Sequence, residues 1–333
     1  MVENRFKALW VEEDAAGGFT RRVAQRRIED LPPGEVLVKV HYSSLNYKDM
    51  LSAMGNRGVT RRYPHTPGID AAGTVAHSTD PAFNTGDAVI VTSYDLGMNT
   101  AGGFGQFIRV PAAWVVPLPS GLSLKESMAY GTAGFTAALA VMALVDGGIE
   151  PDNGEILVSG ATGGVGSIAV TMLNQIGYSV AAVNGRTDAV DYLREIGARR
   201  VVSLAEAVEG GDKPLLKARW AGSVDVVGGP ILATTLKSTA PYGVVVSCGN
   251  AASPDLPINV YPFILRGVRL IGIDSQNCPM TVRRRAWAQI AGPWKLERIW
   301  AFTTEIGLDA LDNGLERMRA GQRRGRTIVR LKD

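Results

Sequence analysis

The chain has 333 residues and a net charge of +3, with 46% hydrophobic and 20% charged residues. That balance excludes a disordered chain, a coiled coil and a disulfide scaffold, and the length points to about two domains. The charge is too small to argue for nucleic-acid or membrane partners, and the sequence shows no run of 18 apolar residues, so no transmembrane helix is expected. Residues 1 to about 124 read as β-rich. Val36-Leu-Val-Lys-Val-His-Tyr42 alternates apolar and polar side chains, as a half-buried strand does. Gly68–Val75, Asp87–Thr92, Phe107–Val110 and Trp114–Leu118 read as further strands, with a tight turn at Asn84-Thr-Gly-Asp87. Short strands with frequent turns predict a barrel-like domain.

The texture changes at Ser123. Ser123-Leu-Lys-Glu126 fits a capping box at the start of apolar helices that reach about Leu144. Strands then alternate with helices. Glu155–Ser159, Tyr178–Val183, Arg200–Ser203, Val224–Val227, Gly243–Ser247 and Val268–Ile273 read as strands, and Val165–Ile176 and Ala189–Ile196 as helices. Strands spaced by helices predict parallel βαβ units and a doubly wound sheet, so the fold class is α/β. The last stretch reads as basic and helical, closing with a strand at Arg326–Arg330.

Glycine contributes 39 residues, about 12% against a usual ~7%. One cluster, Gly160-Ala-Thr-Gly-Gly-Val-Gly166, lies between a predicted strand and a predicted helix. Gly163 and Gly164 let backbone N–H groups approach a pyrophosphate, and Gly166 lets the helix pack close to its strand. The following strand ends in Val183-Asn-Gly-Arg-Thr187, with no acid before Asp188 to hold a ribose 2′-hydroxyl. Arg186 can instead bind a 2′-phosphate, with Asn184 and Thr187 adding neutral hydrogen bonds, so the expected cofactor is NADPH.

A β-rich domain followed by a dinucleotide fold resembles the medium-chain dehydrogenase/reductase superfamily. The glycine turn and Pro67-Gly-Ile-Asp-Ala-Ala-Gly73 look like its zinc-free quinone-oxidoreductase branch. Ser43-Ser-Leu-Asn-Tyr-Lys-Asp49, Gly131-Thr-Ala-Gly-Phe-Thr136, Pro262-Phe-Ile-Leu-Arg266 and Gly272-Ile-Asp-Ser275 are very similar to the NADPH-dependent acrylyl-CoA reductases. The resemblance runs from about Lys7 to Val329. It implies a GroES-like β-barrel catalytic domain over 1–124 and 274–333 and a Rossmann NADPH-binding domain over 125–273. It also implies a homodimer joined through an edge strand, Val268–Ile273.

Zinc members of the superfamily carry a catalytic Cys and a G-H-E segment. Here those regions read Asn46-Tyr-Lys-Asp49 and Gly68-Ile-Asp70, and no metal is expected. The two cysteines, Cys248 and Cys278, are too few for a four-thiolate zinc site or a disulfide framework. His41, His65 and His77 lack ligand spacing and read as surface or packing residues. With an N-terminus lacking a signal peptide, the expectation is a cytoplasmic protein with reduced thiols and an inert Cys248.

The implied reaction is reduction of the C=C bond of a short 2-enoyl-CoA. NADPH delivers hydride to the β-carbon, an enolate forms, and the α-carbon is protonated. The residues then expected at the site are Tyr47 and Asn46 for catalysis, with Lys48 as a nearby charge and Asp49 as an acceptor. For the cofactor they are Tyr47, Thr162, Gly163, Gly164, Val165, Asn184, Gly185, Arg186, Asn250, Ile264 and Ser275. Arg61-Arg62, Arg283-Arg-Arg285 and Arg323-Arg324 read as solvated faces, with the phosphates of CoA as the alternative. Two other functions share the same features: an NADPH quinone or enone reductase, and a non-catalytic NADPH-binding protein.

Overall fold

The computed structural model describes residues 4–331. In chain order its strands and α-helices are β1 (Arg5–Glu13), β2 (Phe19–Arg27), β3 (Val36–Ser44), α1 (Tyr47–Ala53), β4 (Asp70–Ser78), β5 (Ala88–Thr92), β6 (Phe107–Val110), β7 (Val115–Pro117) and α2 (Leu124–Asp146). There follow β8 (Ile156–Val158), α3 (Gly164–Gln175), β9 (Val180–Asn184), α4 (Val190–Glu195), β10 (Arg200–Ser203), α5 (Leu204–Ala207), β11 (Trp220–Asp225) and α6 (Gly229–Lys237). The chain closes with β12 (Thr239–Ser247), α7 (Tyr261–Arg266), β13 (Arg269–Gly272), α8 (Met280–Ala291), β14 (Thr303–Gly307), α9 (Leu311–Arg319) and β15 (Arg326–Arg330). Contacts divide this chain into two units. One runs to Thr132 and includes Gln276–Ala291 and the chain from Arg298 onward; the other holds Ala133–Ser275 and Gly292–Glu297.

In the first unit the strand order is β14-β15-β3-β4-β5-β7, with β6 paired to β3. Val36, Val38 and Val40 of β3 are buried while Lys39 between them is exposed, as period-2 alternation requires. They join Val75, Val89, Val91 and Ile108 in one core, each valine contributing roughly 1.5–3 kcal/mol of burial. Helices α1 and α9 close this core through Met50, Leu311 and Leu315, with Leu45 from the turn before α1. The β1–β2 hairpin is absent from the sequence expectation. Asp14 builds its turn by accepting from Ala16 N–H at 2.8 Å and Gly18 N–H at 2.9 Å. Strand β2 holds four arginines and little apolar surface, so its period-2 signal is weak.

In the second unit all strands run parallel in the order β10-β9-β8-β11-β12-β13. The chain winds outward from β8 to β10, then restarts at β11 and winds the other way. The switch point lies at the carboxyl ends of β8 and β11, where doubly wound sheets bind ligands. Strand β11 begins at Trp220, four residues before the predicted start.

One apolar helix and one arginine bear directly on the sequence expectations, and the arginine's is corrected. Helix α2 is long and apolar enough to span a bilayer, with a mean hydropathy of 1.7, but 83% of that window is buried in the protein. Its alanines, glycines and threonines hide the apolar length from a residue-by-residue reading. The helix is also broken at Gly131, where φ is 52° and ψ is −156°. Arg283 is no solvated residue and meets no phosphate: it is fully buried, donates to Thr92 O and Oγ1 at 3.0 Å, and lies over the Tyr94 ring.

Candidate active site

The phosphate turn is built as the glycine pattern requires. Strand β8 ends at Val158, and α3 starts at Gly164 with Gly163 as its N-cap. A Cβ on Gly166 would stand 2.7 Å from the Ala161 Cα and closer still to Gly160 O, so only glycine lets α3 approach the strand end. The first N–H groups of a helix have no intrahelical acceptor, and with the dipole they suit an anion. Thr162, Gly164 and Val165 are half-buried and Gly163 is exposed, which leaves this turn open to a ligand. A buried pair holds the turn: Ser159 Oγ donates to Asp225 Oδ1 at 2.6 Å and accepts from Val226 N–H at 3.1 Å. Asp225 also accepts from Gly228 N–H at 2.7 Å, tying the loop after β8 to the loop after β11. Burial pushes the Asp225 carboxyl above its ordinary range.

At the end of β9 the side chain of Asn184 turns back on its own loop. It donates to Arg186 O at 2.6 Å and accepts from Arg186 N–H at 2.9 Å. Asn184 therefore shapes the turn through Gly185 that presents Arg186. The Arg186 guanidinium pairs with Asp188 at 3.2 Å and lines a cleft of about 570 Å³ together with Arg194, Arg199 and Arg200. The side chain of Thr187, expected to add a neutral hydrogen bond, lies outside the described residues. Asn250 is exposed beyond the carboxyl end of β12, and Ser275 is half-buried beyond that of β13. Ile264 is placed apart from them. It sits on α7 near the amino end of β13, 68% exposed, because this helix returns the chain toward the start of that strand. Cys248 is half-buried, and burial followed by the Asp225 charge pushes its thiol up to about 12.

The first unit holds a buried polar network around Asn46. Asp70, fully buried, accepts from Ser44 Oγ, from Asn46 Nδ2 at 2.8 Å, and from Thr132 N–H and Oγ1 at 2.9 and 2.6 Å. Arg326, 2% exposed, donates to Ser44 Oγ at 2.8 Å, Ala129 O at 2.9 Å and Asn46 Oδ1 at 3.1 Å. Asp49 is also fully buried and accepts from Asn46 N–H at 2.7 Å and Ile69 N–H at 2.8 Å. Burial first, then the charge of Asp70, push its carboxyl up to about 7. Asn46 is thus a fixed strut with both ends of its amide engaged, and Asp49 clamps the first turn of α1 to the start of β4. Tyr47, next in the chain, is 61% exposed, and among the described residues its hydroxyl has no hydrogen bond. Lys48 donates to Gln276 Oε1 at 2.6 Å. The adjacent Ser93 and Tyr94 both adopt positive φ, 65° and 51°, and Ser93 Oγ lies 2.9 Å from Thr132 Oγ1. Such paired strain in non-glycine residues marks functional sites. Gly131 closes the network: a side chain there would strike Asp70 Oδ2 and Arg326 Nη2, at 2.5 and 2.8 Å from its Cβ.

The chain matches the alcohol dehydrogenase GroES-like domain over residues 32–120 and the zinc-binding dehydrogenase over residues 164–292. It is 45% identical over 325 residues to the acrylyl-CoA reductase AcuI of Ruegeria pomeroyi, covering 97% of this chain and 98% of that one. The chain belongs to the medium-chain dehydrogenase/reductase superfamily. YhfP of Bacillus subtilis, named as a quinone oxidoreductase, is 46% identical over 98% of this chain and 99% of its own. The yhdH oxidoreductase from Salmonella enterica in complex with NADP superposes with a TM-score of 0.95 at 44% identity, covering 98% of this chain and all of that one. The Bacillus subtilis yhfP structure with NAD bound gives 0.96 at 45% identity. As a superfamily member the chain is an oxidoreductase with a nicotinamide-binding Rossmann fold.

The zinc of the family description does not fit these residues. Ile69 stands where a histidine ligand would be and offers only its backbone. The Asn46 amide is engaged at both ends, and the Arg326 guanidinium already places a cation among the buried carboxylates. Among the described residues no three of His, Cys, Asp and Glu gather into a metal set. Asp70, Thr132 and Arg326 were not singled out from the sequence. Asp70 stood inside the Gly-Ile-Asp segment read only for its missing histidine, and Arg326 opens a strand 280 residues from Asn46, a separation that no local pattern bridges.

Proposed function

We propose that the chain is an NADPH-dependent reductase of the C=C bond of a short 2-enoyl-CoA, acting on acrylyl-CoA to give propionyl-CoA. The observation that carries this reading is the likeness to the Ruegeria acrylyl-CoA reductase along the whole chain. The preference for NADPH rests on Arg186, on the other arginines of the cleft at the end of β9, and on the lack of an acid at that strand end. Thr162, Gly163, Gly164 and Val165 hold the pyrophosphate, and Asn250 and Ser275 line the carboxyl edge of the sheet. Bound NADPH supplies the hydride. Negative charge then develops on the thioester oxygen, and a conjugated thioester takes up that charge as an enolate.

In the first unit, Asp70 and Arg326 hold Asn46, and Asp49 holds the first turn of α1. This frame fixes the backbone of Tyr47 and leaves its hydroxyl free to hydrogen-bond the nicotinamide or the substrate. Protonation of the α-carbon comes from that hydroxyl or from water. A homodimer joined through β13 fits the reading. That strand ends the sheet, Leu270 on it is exposed, and neighbouring α7 exposes Tyr261, Ile264 and Leu265. Two free cysteines fit a reducing cytoplasm.

The test is steady-state NADPH oxidation with acrylyl-CoA, crotonyl-CoA and a benzoquinone. The reading expects acrylyl-CoA to have the highest kcat/KM. Faster turnover of benzoquinone would favour a quinone reductase, the reading that the name of YhfP supports. Tight NADPH binding without turnover of any acceptor would make the chain a binding protein. Arg186→Gln should weaken NADPH binding about tenfold or more and leave NADH unchanged, as loss of a charge-assisted bond of ~1.5–3 kcal/mol requires.

A further inference from the structure

We propose that Arg317 and Arg323 form a second anion site, built for a phosphoryl group, on the face of α9 in the first unit. A cavity of about 140 Å³ there is lined by Thr304, Asn313, Gly314, Arg317, Arg323 and Arg324. It is smaller than the ~300–1,000 Å³ of sites that enclose a whole small molecule, so it suits an end group rather than a nucleotide. The carboxylates on the same elements serve other cations. Glu305 alternates away from Thr304 on β14 and pairs with Lys125 at 2.7 Å and Arg330 at 3.4 Å. Asp312 and Glu316 pair with Arg21 at 2.5 and 2.6 Å, and Glu316 also takes Arg319 at 2.8 Å.

Among the described residues, neither Arg317 nor Arg323 has a side-chain hydrogen bond or an ion pair. Arg323 is half-buried, and burial followed by Arg317 and Arg326 pushes its guanidinium down to about 10. A cation drawn out of water and facing only like charge is unfavourable until an anion joins it. The Arg323 guanidinium lies against α9 at Gly314, where Nη1 is 3.5 Å from the position a Cβ would take, an ordinary packing distance. Two guanidinium forks converging on one small cavity match the bidentate geometry of phosphate. The phosphoryl group comes either from the CoA portion of the substrate, a source that rests on the proposed function, or from free phosphate.

The full-length protein, saturated with NADPH to fill its nucleotide site, is titrated calorimetrically with inorganic phosphate. One site is expected, with affinity falling at least tenfold in Arg323→Gln and in Arg317→Gln. Arg317 is exposed, so its replacement leaves the fold intact and keeps the test decisive even if Arg323→Gln is unstable. No binding to the wild type, or equal affinity in wild type and Arg317→Gln, overturns the proposal. The source is then read from KM. A rise for acrylyl-CoA and not for acrylyl-pantetheine, which lacks the nucleotide phosphates, assigns the site to CoA. Unchanged values for both thioesters, with phosphate binding lost, assign it to free phosphate. Because calorimetry needs no turnover, failure of the enoyl-CoA reading leaves this result legible.

Discussion

Arg326→Met removes a buried cation that faces two buried carboxylates. In the native fold Arg326 is 2% exposed, and Asp49 and Asp70 are fully buried. Methionine fills similar space but leaves Ser44 Oγ, Ala129 O and Asn46 Oδ1 without their donor and both acids without a counter-charge. Breaking such an arrangement by deleting one partner destabilises by ~3–5 kcal/mol. For a unit of roughly 180 residues, at ~2–4 °C per kcal/mol, Tm should fall by ~6–20 °C. Differential scanning calorimetry of the variant and wild type at pH 7.5 reads this directly. Adding Asp70→Asn should recover part of the loss, with a coupling of ~0.5–3 kcal/mol in the double-mutant cycle. A Tm within 2 °C of wild type, or strictly additive effects, would refute the idea that charge compensation holds this network.

Three further outcomes are expected. Between about pH 4 and 7 the folded chain keeps a proton on Asp49 that the unfolded chain has released, so stability should fall as the pH rises through that window and level off above it. Asp49→Asn should flatten this slope in Tm measured from pH 4.5 to 8; an unchanged slope would assign it to other groups. Gly166→Ala should force α3 away from the strand end and weaken NADPH binding roughly 5- to 160-fold, from ~1–3 kcal/mol of overpacking, as read by fluorescence titration. Cys248, with its thiol pushed up to about 12, should alkylate with iodoacetamide at pH 8 far more slowly than free cysteine, and modification at the free rate by mass spectrometry would contradict its burial.

Local patterns made much of the second unit legible. A buried strand, a glycine turn and a helix occur together between Glu155 and Ile176, where every signal is within a few residues of its partner. The capping box at Ser123 was readable for the same reason, and Ser123 and Glu126 do exchange hydrogen bonds at 2.9 and 3.1 Å. The first unit was readable as strands, but its hairpin hid behind charged residues. Arg283 read as part of a solvated basic run and Arg326 only as the start of a strand, because composition does not record which charges the fold buries.

The sequence alone determined the chemistry that is available: a phosphate turn, an arginine in place of an acid, and no metal-ligating set at Asn46 and Ile69. Those properties depend on residue identity and short spacing. Tertiary structure decided what the side chains do. It buried Asp49, Asp70 and Arg326 together, made Asn46 a strut rather than a free donor, and turned Asn184 back onto its own loop. Each outcome depends on partners brought close by folding, where low polarity makes an unpaired charge or amide costly and a satisfied one rigid.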